Sequence, residues 1–150
     1  MAAVSLESAY APPALGVSAR CLAAHPQDGT VVKAAGALFV AYSQRSQRQV
    51  RFFSHALSDD RRRVVAAACA FSSGGHLLAA AFTGDGGAGS THVVIFAAHA
   101  RTAAGGAVVA GPLAGLASTC VQVAWASDDS MLAAVGADGH ALVWRWPDTA

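Results

Sequence analysis

Short apolar segments separated by polar turns recur along most of this chain. One stretch occurs twice: it runs from Cys69 to Phe82 and returns, altered, from Val123 to Gly136. Each copy reads as a strand, a polar turn and a second strand, and then reaches a third apolar segment that ends in an aromatic residue, Phe96 or Trp144. Because an internal repeat constrains the fold more strongly than any single residue, the pattern predicts an all-β protein made of repeated antiparallel units.

Three such units can be placed on the chain. Residues 1–18 contain Pro12-Pro13 and are predicted to form an irregular lead-in. The units cover about 19–57, 64–114 and 119–147. Their predicted strands are 19–24, 30–35, 38–42 and 49–53; 65–71, 77–82, 92–97 and a weak fourth at 107–110; and 121–125, 131–135 and 140–146.

Units of this size and strand number are typical of β-propeller blades. We therefore expect a propeller segment of about three four-stranded blades, in which the last blade is incomplete because it lacks its outer strand. A closed propeller takes about four to eight blades, so further blades of a longer chain are expected to complete the ring.

One loop permits an enzyme as the alternative interpretation. Residues 84–89 match the G-x-G-x-x-G pattern of dinucleotide-binding domains. A small nucleotide-binding α/β enzyme domain that uses this Gly84–Gly89 loop would need a helix after Ser90 and an acidic residue about 20 positions further on. Instead the chain continues as β-rich Val93–Phe96, and no Asp or Glu lies between Asp85 and Asp128. We therefore expect a hairpin loop here.

Composition favours protein partners over nucleic acids or membranes. A net charge of +1 gives no general reason to expect nucleic acid or an anionic membrane as a partner. Residues 102–127 are uncharged and long enough to span a bilayer, but their glycines and Pro112 favour strand and turn.

The N-terminus lacks a signal-peptide pattern. Since Cys21, Cys69 and Cys120 show no C-x-x-C spacing, we expect buried free thiols and a cytoplasmic location.

The sequence gives only weak support for catalytic or metal-binding residues. The six histidines have no zinc-ligand spacing and no nearby cysteine partner, and no G-x-S-x-G sequence occurs. The pair Asp128-Asp129 occupies the turn position that Gly74-Gly75 holds in the other copy, so turn chemistry explains it. We therefore expect no catalytic residue, no cofactor and no metal, and a non-catalytic scaffold for protein–protein interaction.

The turn sequences resemble those of WD-repeat proteins. Residues 71–79 and 125–133 are similar to the first turn of a WD-repeat blade, and Asp138–Trp144 is similar to the Asp-to-Trp signature that follows it. In that family an Asp, a His, a Ser or Thr and a Trp form a hydrogen-bonded tetrad. Here Phe96 replaces one Trp, and Gly115-Leu116 stand where Gly-His is expected. The resemblance assigns tetrad-like structural roles to His55, Asp85, Asp138 and Trp144.

The order of motifs resembles one group within that family. Residues 25–32, 49–55 and 142–146 are similar to the atypical propellers of the echinoderm microtubule-associated-protein-like proteins and related ciliary and centriolar WD-repeat proteins. The resemblance implies association with microtubules, the cilium or the cytoskeleton, and tubulin or ciliary and centriolar proteins as partners. A third interpretation is a WD-repeat subunit of a non-cytoskeletal complex.

Positive charge is concentrated in one short segment. Six of the ten Lys and Arg residues lie within residues 45–63, on and after the outer strand of the first unit. Because outer strands and loops of a propeller face solvent, these side chains can meet an acidic protein surface. A solvated edge that discourages aggregation is the competing interpretation. The candidate protein-binding residues are Arg45, Arg48, Arg51, Arg61, Arg62 and Arg63.

Overall fold

The computed structural model describes residues 21–54, 64–84, 91–99 and 107–146, and within these ranges every regular element is a β-strand. None of the described residues belongs to a helix that could cross a membrane. The strands are β1 (Leu22–Ala24), β2 (Thr30–Ala35), β3 (Leu38–Ser43), β4 (Arg48–Ser54), β5 (Val64–Phe71), β6 (Leu77–Gly84), β7 (Thr91–Ala97), β8 (Val108–Leu116), β9 (Cys120–Trp125), β10 (Met131–Gly136) and β11 (Ala141–Arg145).

The strands form three antiparallel sheets in chain order, which we call blades 1, 2 and 3. Blade 1 contains β1 to β4, blade 2 contains β5 to β8, and blade 3 contains β9 to β11. The all-β prediction is confirmed, and the last blade has three strands within the described residues. After Ser90 the chain enters strand β7 rather than the helix that a dinucleotide-binding loop requires, which argues against the nucleotide-binding enzyme.

Strand β8 is longer than the sequence pattern indicated. The sequence pattern predicted a strand over 107–110. The strand continues to Leu116 because the following residues keep pairing with β7 through three shifts in register. Glycine and proline in this segment, which include a cis Gly111–Pro112 peptide, interrupt the ladder without ending it. Irregular pairing of this kind is tolerated at the outer strand of a sheet.

The blades are arranged side by side through their first strands. Strand β1 contacts β5, and β5 contacts β9. Hydrogen bonds cross both junctions: the backbone N–H of Ala66 donates to the carbonyl of Gly36 at 2.8 Å, and Trp125 Nε1 donates to the carbonyl of Ala70 at 3.2 Å. This radial succession of first strands is the arrangement expected of propeller blades.

Blade 2 supplies side chains to two separate cores. The first core, between blades 1 and 2, is rich in phenylalanine: Phe39 and Phe82 pack edge-on at a centroid distance of 5.4 Å, and Phe53 and Phe96 pack in a tilted arrangement at 5.4 Å. The second core, between blades 2 and 3, receives alanines such as Ala79 and Ala81 from β6 and larger apolar side chains such as Ile95 from β7. The buried phenylalanines of blade 2 therefore belong to the first core alone.

Side chains along β5 and β6 alternate between the two faces of the sheet, and this alternation divides them between the two cores. In β6, Leu78, Ala80 and Phe82 face the first core, whereas Ala79 and Ala81 face the second. The pairing of β5 with β6 shifts between Ala66 and Ala68. Because a bulge adds one residue, Ala66 and Cys69 both reach the first core although they are three positions apart, a spacing that places residues of a regular strand on opposite faces.

All three cysteines are buried, as predicted, and no disulfide joins them. Burial raises the pKa of the Cys69 thiol to about 12, with Cys21 adding to the shift, and burial also raises the pKa of Cys120. A thiol whose pKa is raised on folding stabilises the native state fully below its unfolded pKa, near 9, and this contribution is lost as the pH rises toward 12.

We expect the free energy of unfolding to fall more steeply between pH 9 and pH 11 in the wild type than in Cys69→Ala. The alanine removes the thiol, and the packing it loses does not depend on pH. Urea unfolding at several pH values measures the difference. Parallel pH curves for the two proteins would show that Cys69 is not desolvated as the structure indicates.

Candidate protein-interaction surface

Several turns meet at one end of the blades, which we call the turn end. It comprises the connections β1–β2, β3–β4, β5–β6 and β9–β10, together with Ala98 and His99 after β7, since successive strands of an antiparallel sheet run in opposite directions. The turns also touch across blades: His25 Nε2 lies 2.9 Å from the carbonyl oxygen of Gly75, and the Asp129 carboxylate accepts from the backbone N–H of Ser73 at 2.6 Å.

Asp129 links blade 3 to blade 2. Its carboxylate also accepts from the N–H of Gly74 at 3.1 Å, so both of its oxygens bind the β5–β6 turn. Asp128 instead stays within its own turn, where it accepts from the backbone N–H and the hydroxyl of Ser130 at 3.0 and 2.6 Å. The Ser130 hydroxyl and N–H lower the pKa of Asp128. Turn chemistry therefore explains Asp128, whereas Asp129 connects two blades.

The predicted arginine cluster divides into two kinds of residue. Arg45, in the β3–β4 turn, and Arg48, at the start of β4, are exposed. Arg51 differs from the expected solvent-facing side chain: it is half-buried, and its guanidinium donates a hydrogen bond across the blade junction to the carbonyl of Ala98. Arg51 therefore joins blade 1 to blade 2. The predicted residues Arg61, Arg62 and Arg63 lie outside the described residues.

A pocket of about 220 Å³ opens between blades 1 and 2 beside Arg51. Its polar walls include the imidazoles of His25 and His99, and Phe53 and Phe71 contribute apolar walls. Such a volume accommodates one side chain of a partner protein rather than a nucleotide cofactor, for which pockets of about 300–1,000 Å³ are usual.

The tetrad-like positions are only partly described. Asp138 lies in the β10–β11 turn, where its carboxylate accepts from the N–H of His140 at 3.1 Å and its own N–H donates to Ser118 Oγ at 3.2 Å. The His140 N–H, with Ser118 contributing next, lowers the pKa of Asp138. Trp144 is half-buried against the second core. Among the described residues, the hydrogen bonds of Asp138 do not involve Trp144. His55 and Asp85 lie outside the described part.

Solved structures show what this arrangement is similar to. The C-terminal WD40 domain of Sif2 superposes on 84% of the chain with a TM-score of 0.59 and 11% sequence identity. The β-propeller domain of Cps50 (Swd1) from Myceliophteria thermophila superposes on 79% of it with a TM-score of 0.55 and 17% identity. The chain has the WD40 β-propeller fold. It covers 33% and 37% of those two structures, so it represents a partial propeller.

Sequence comparison adds nothing to this assignment. No family model matches the chain, and no curated protein matches it at a significant level. At identities of 11% and 17%, the likeness to the two WD40 domains concerns the fold. Function must therefore be argued from the surface of this WD40 segment itself.

Two features of the turn end are absent from the sequence prediction. His25 and His99, 74 positions apart, place their Nε2 atoms 3.1 Å from each other. Gly75 lies directly against the ring of His25. Sequence spacing could not reveal either contact because both cross the junction between two blades, and the twofold repeat offers no signal since the third unit has Asp129 where the second has Gly75.

Proposed function

We propose that this WD40 segment is a non-catalytic protein-interaction scaffold that binds an acidic protein surface through the β3–β4 edge of blade 1. The observation that carries the proposal is the exposure of Arg45 and Arg48 without an acidic partner among the described residues. Their positive charge is therefore available to a second protein.

No ion pair joins these arginines to a carboxylate among the described residues. Asp28 accepts from the backbone N–H of Thr30 at 2.8 Å, and Asp129 is bound by the β5–β6 turn. Asp28, Asp128 and Asp129, the described carboxylates of the turn end, thus each accept a backbone N–H group. An arginine pair in this setting attracts carboxylates of a partner and directs its orientation more than it adds binding energy.

Strand β4 also offers a surface beyond charge. It is the last strand of blade 1, so one of its edges has no strand partner within the described residues. Phe52 on this strand is 46% exposed. Aromatic and arginine side chains together are enriched at the energetically important centres of protein interfaces.

The acidic partner that we propose is the microtubule surface. The resemblance of residues 25–32, 49–55 and 142–146 to microtubule-associated WD-repeat proteins supports this choice. Acidic tails of tubulin would supply the carboxylates, and the location would be the cytoplasm, at the cytoskeleton or cilium. An acidic subunit of a non-cytoskeletal complex would use the same arginines, and the experiment below separates the two.

We expect the double variant Arg45→Glu and Arg48→Glu to lose most of its co-sedimentation with microtubules at physiological salt. Reversal of two exposed charges turns attraction into repulsion over a Debye length of about 8 Å, and it removes no contact from either core. Wild-type binding should weaken steadily as salt is raised. The fraction sedimented across a salt series measures both effects.

Arg145→Glu is the matched control. Arg145 is also exposed, but it lies on β11 of blade 3, and its reversal changes the net charge in the same direction. Microtubules from which the acidic tubulin tails have been cleaved should bind the wild type weakly. Equal loss of microtubule binding in the double variant and in Arg145→Glu would contradict a specific role of Arg45 and Arg48. Absence of microtubule binding at every salt concentration would exclude the microtubule as the partner.

A further inference from the structure

His25 holds one proton in a fixed place at the junction of blades 1 and 2. Its side chain is 2% exposed. Nδ1 accepts from the backbone N–H groups of Gln27 at 3.1 Å and Asp28 at 3.2 Å. The proton of the neutral ring therefore lies on Nε2. There it faces the carbonyl oxygen of Gly75 at 2.9 Å, so the Nε2–H group of His25 donates to blade 2.

A second imidazole meets the same proton. His99 follows β7, and its Nε2 lies 3.1 Å from His25 Nε2, with the ring centroids 4.9 Å apart and the planes at 73°. Two N–H groups do not face each other at that distance, and His25 Nε2 already carries its hydrogen, so His99 Nε2 is the acceptor. His99 is thus neutral, with its own proton on Nδ1. The contact between the two rings exists only in this protonation state.

Protonation of His99 removes this acceptor. An imidazolium carries hydrogen on both nitrogens, so its Nε2–H would point at the Nε2–H group of His25. His99 is exposed, whereas His25 is enclosed and both of its nitrogens are already engaged in hydrogen bonds. A proton taken up in the range of about pH 5–8, where imidazole groups titrate, therefore goes to His99.

Asp28 provides the carboxylate that the protonated ring can reach. One of its oxygens lies within 4.8 Å of a ring nitrogen of each histidine. Burial acts to raise the pKa of Asp28, but the backbone N–H and the hydroxyl of Thr30 outweigh burial and lower the pKa, so the carboxylate stays negative in this pH range. Oδ1 also lies 3.1 Å from His25 Nδ1, but a proton there would displace two backbone N–H donors.

Positive groups oppose a protonated His99 in its present place. Arg51 on β4 lines the same pocket, and its guanidinium binds the carbonyl of Ala98, the residue before His99. His76 in the β5–β6 turn has its ring centroid 6.2 Å from that of His99 and adds a further positive charge when it is protonated. Asp129 does not offset these charges, because its two oxygens are bound by backbone N–H groups of the β5–β6 turn.

From this arrangement we infer that the His25–His99 contact is a pH-sensitive switch at the junction of blades 1 and 2. With His99 neutral, its ring accepts from His25 and closes the turn end of the junction. With His99 protonated, the ring turns away from His25 toward the Asp28 carboxylate and the solvent, and His25 keeps only its bond to Gly75. Acidification therefore opens the wall of the pocket that His99 forms.

Nuclear magnetic resonance of the histidine rings in the full 150-residue chain tests this switch. At about pH 7.5 we expect the proton of His25 on Nε2 and that of His99 on Nδ1, which the ring nitrogen shifts distinguish. At about pH 5.5 the Overhauser effect between the two rings should fall at least about fivefold, the factor that the net contribution of one hydrogen bond corresponds to. The Nε2–H signal of His25 should shift over the same interval while His25 stays neutral.

His99→Gln separates protonation from packing. Glutamine offers an acceptor oxygen that does not titrate, and His99 is exposed, so the substitution disturbs no core. The His25 signal of this variant should stay constant between the two pH values. His140→Ala is the control, because His140 is also exposed and its Nδ1 lies 3.1 Å from an Asp138 carboxylate, but in blade 3. It should keep the wild-type response.

Three results would each overturn the inference. The first is a proton on Nε2 of His99 at neutral pH. The second is a contact between the His25 and His99 rings that persists unchanged in acid. The third is a pH-dependent shift of the His25 signal that is equal in the wild type and in His99→Gln, since the shift would then come from a group other than His99.

Discussion

Replacement of Phe82 by alanine is expected to lower the free energy of unfolding by about 3–5 kcal/mol. Phe82 is fully buried, and its ring lies between Phe39 at 5.4 Å and Phe96 at 6.4 Å, so its loss leaves a cavity in the middle of the first core. Since small domains unfold with only about 5–15 kcal/mol, this change removes a large part of the stability. Chemical denaturation measures it.

Phe52→Ala is the matched control on the same blade pair. Phe52 is 46% exposed and lies outside both cores, so we expect a change well below that of Phe82→Ala. Comparable losses for the two variants would mean that the aromatic contacts of the first core do not hold blades 1 and 2 together.

Replacement of Gly75 by alanine should cost about 2–5 kcal/mol. Gly75 has φ of +74°, a conformation that costs an L-residue roughly 1–2 kcal/mol. A Cβ built there would also lie well inside contact distance of His25 Nε2. Because the His25 ring is held by two backbone N–H groups and by Phe71, its displacement adds an overpacking cost of about 1–3 kcal/mol.

Gly139→Ala separates the two contributions. Gly139 has φ of +84°, but nothing lies within 4 Å of an added Cβ, so this variant should show only the conformational cost of roughly 1–2 kcal/mol. The difference between the two variants then measures the contact with His25. If both lose the same stability, the junction at His25 is not tightly packed.

Sequence periodicity predicted most strands because the residues of each one either alternate between apolar and polar or are continuously apolar. The bounds of β2 agree with the prediction at both ends, and those of β6 and β10 differ by two residues or fewer. Strand β8 was underestimated because Gly111, Pro112 and Gly115 suggest a turn, whereas tertiary pairing with β7 overrides that local preference.

The contacts between blades could not be predicted from the sequence pattern. Arg48 and Arg51 have the same residue type and, because the β3–β4 register shifts between them, pair with Ser43 and Ala41 on one face of β3, yet only Arg51 reaches the carbonyl of Ala98 in blade 2. The His25–His99 pair depends on two turns whose separation along the chain carries no motif. A local pattern gives the face of a strand, but it does not give the residue that the next blade places opposite.

The division of β6 between two cores constrains the length of the chain as well as its composition. Even-numbered side chains from Leu78 to Phe82 serve one interface, and Ala79 and Ala81 serve the other. Deletion of one residue near Leu77 would exchange the two sets, pressing an aromatic ring into a space shaped for alanine. Insertion or deletion of two residues would leave each side chain of β6 facing the same core as before. A change of one residue in this strand is therefore compatible with both cores only where a bulge absorbs it, as the bulge between Ala66 and Ala68 does in β5.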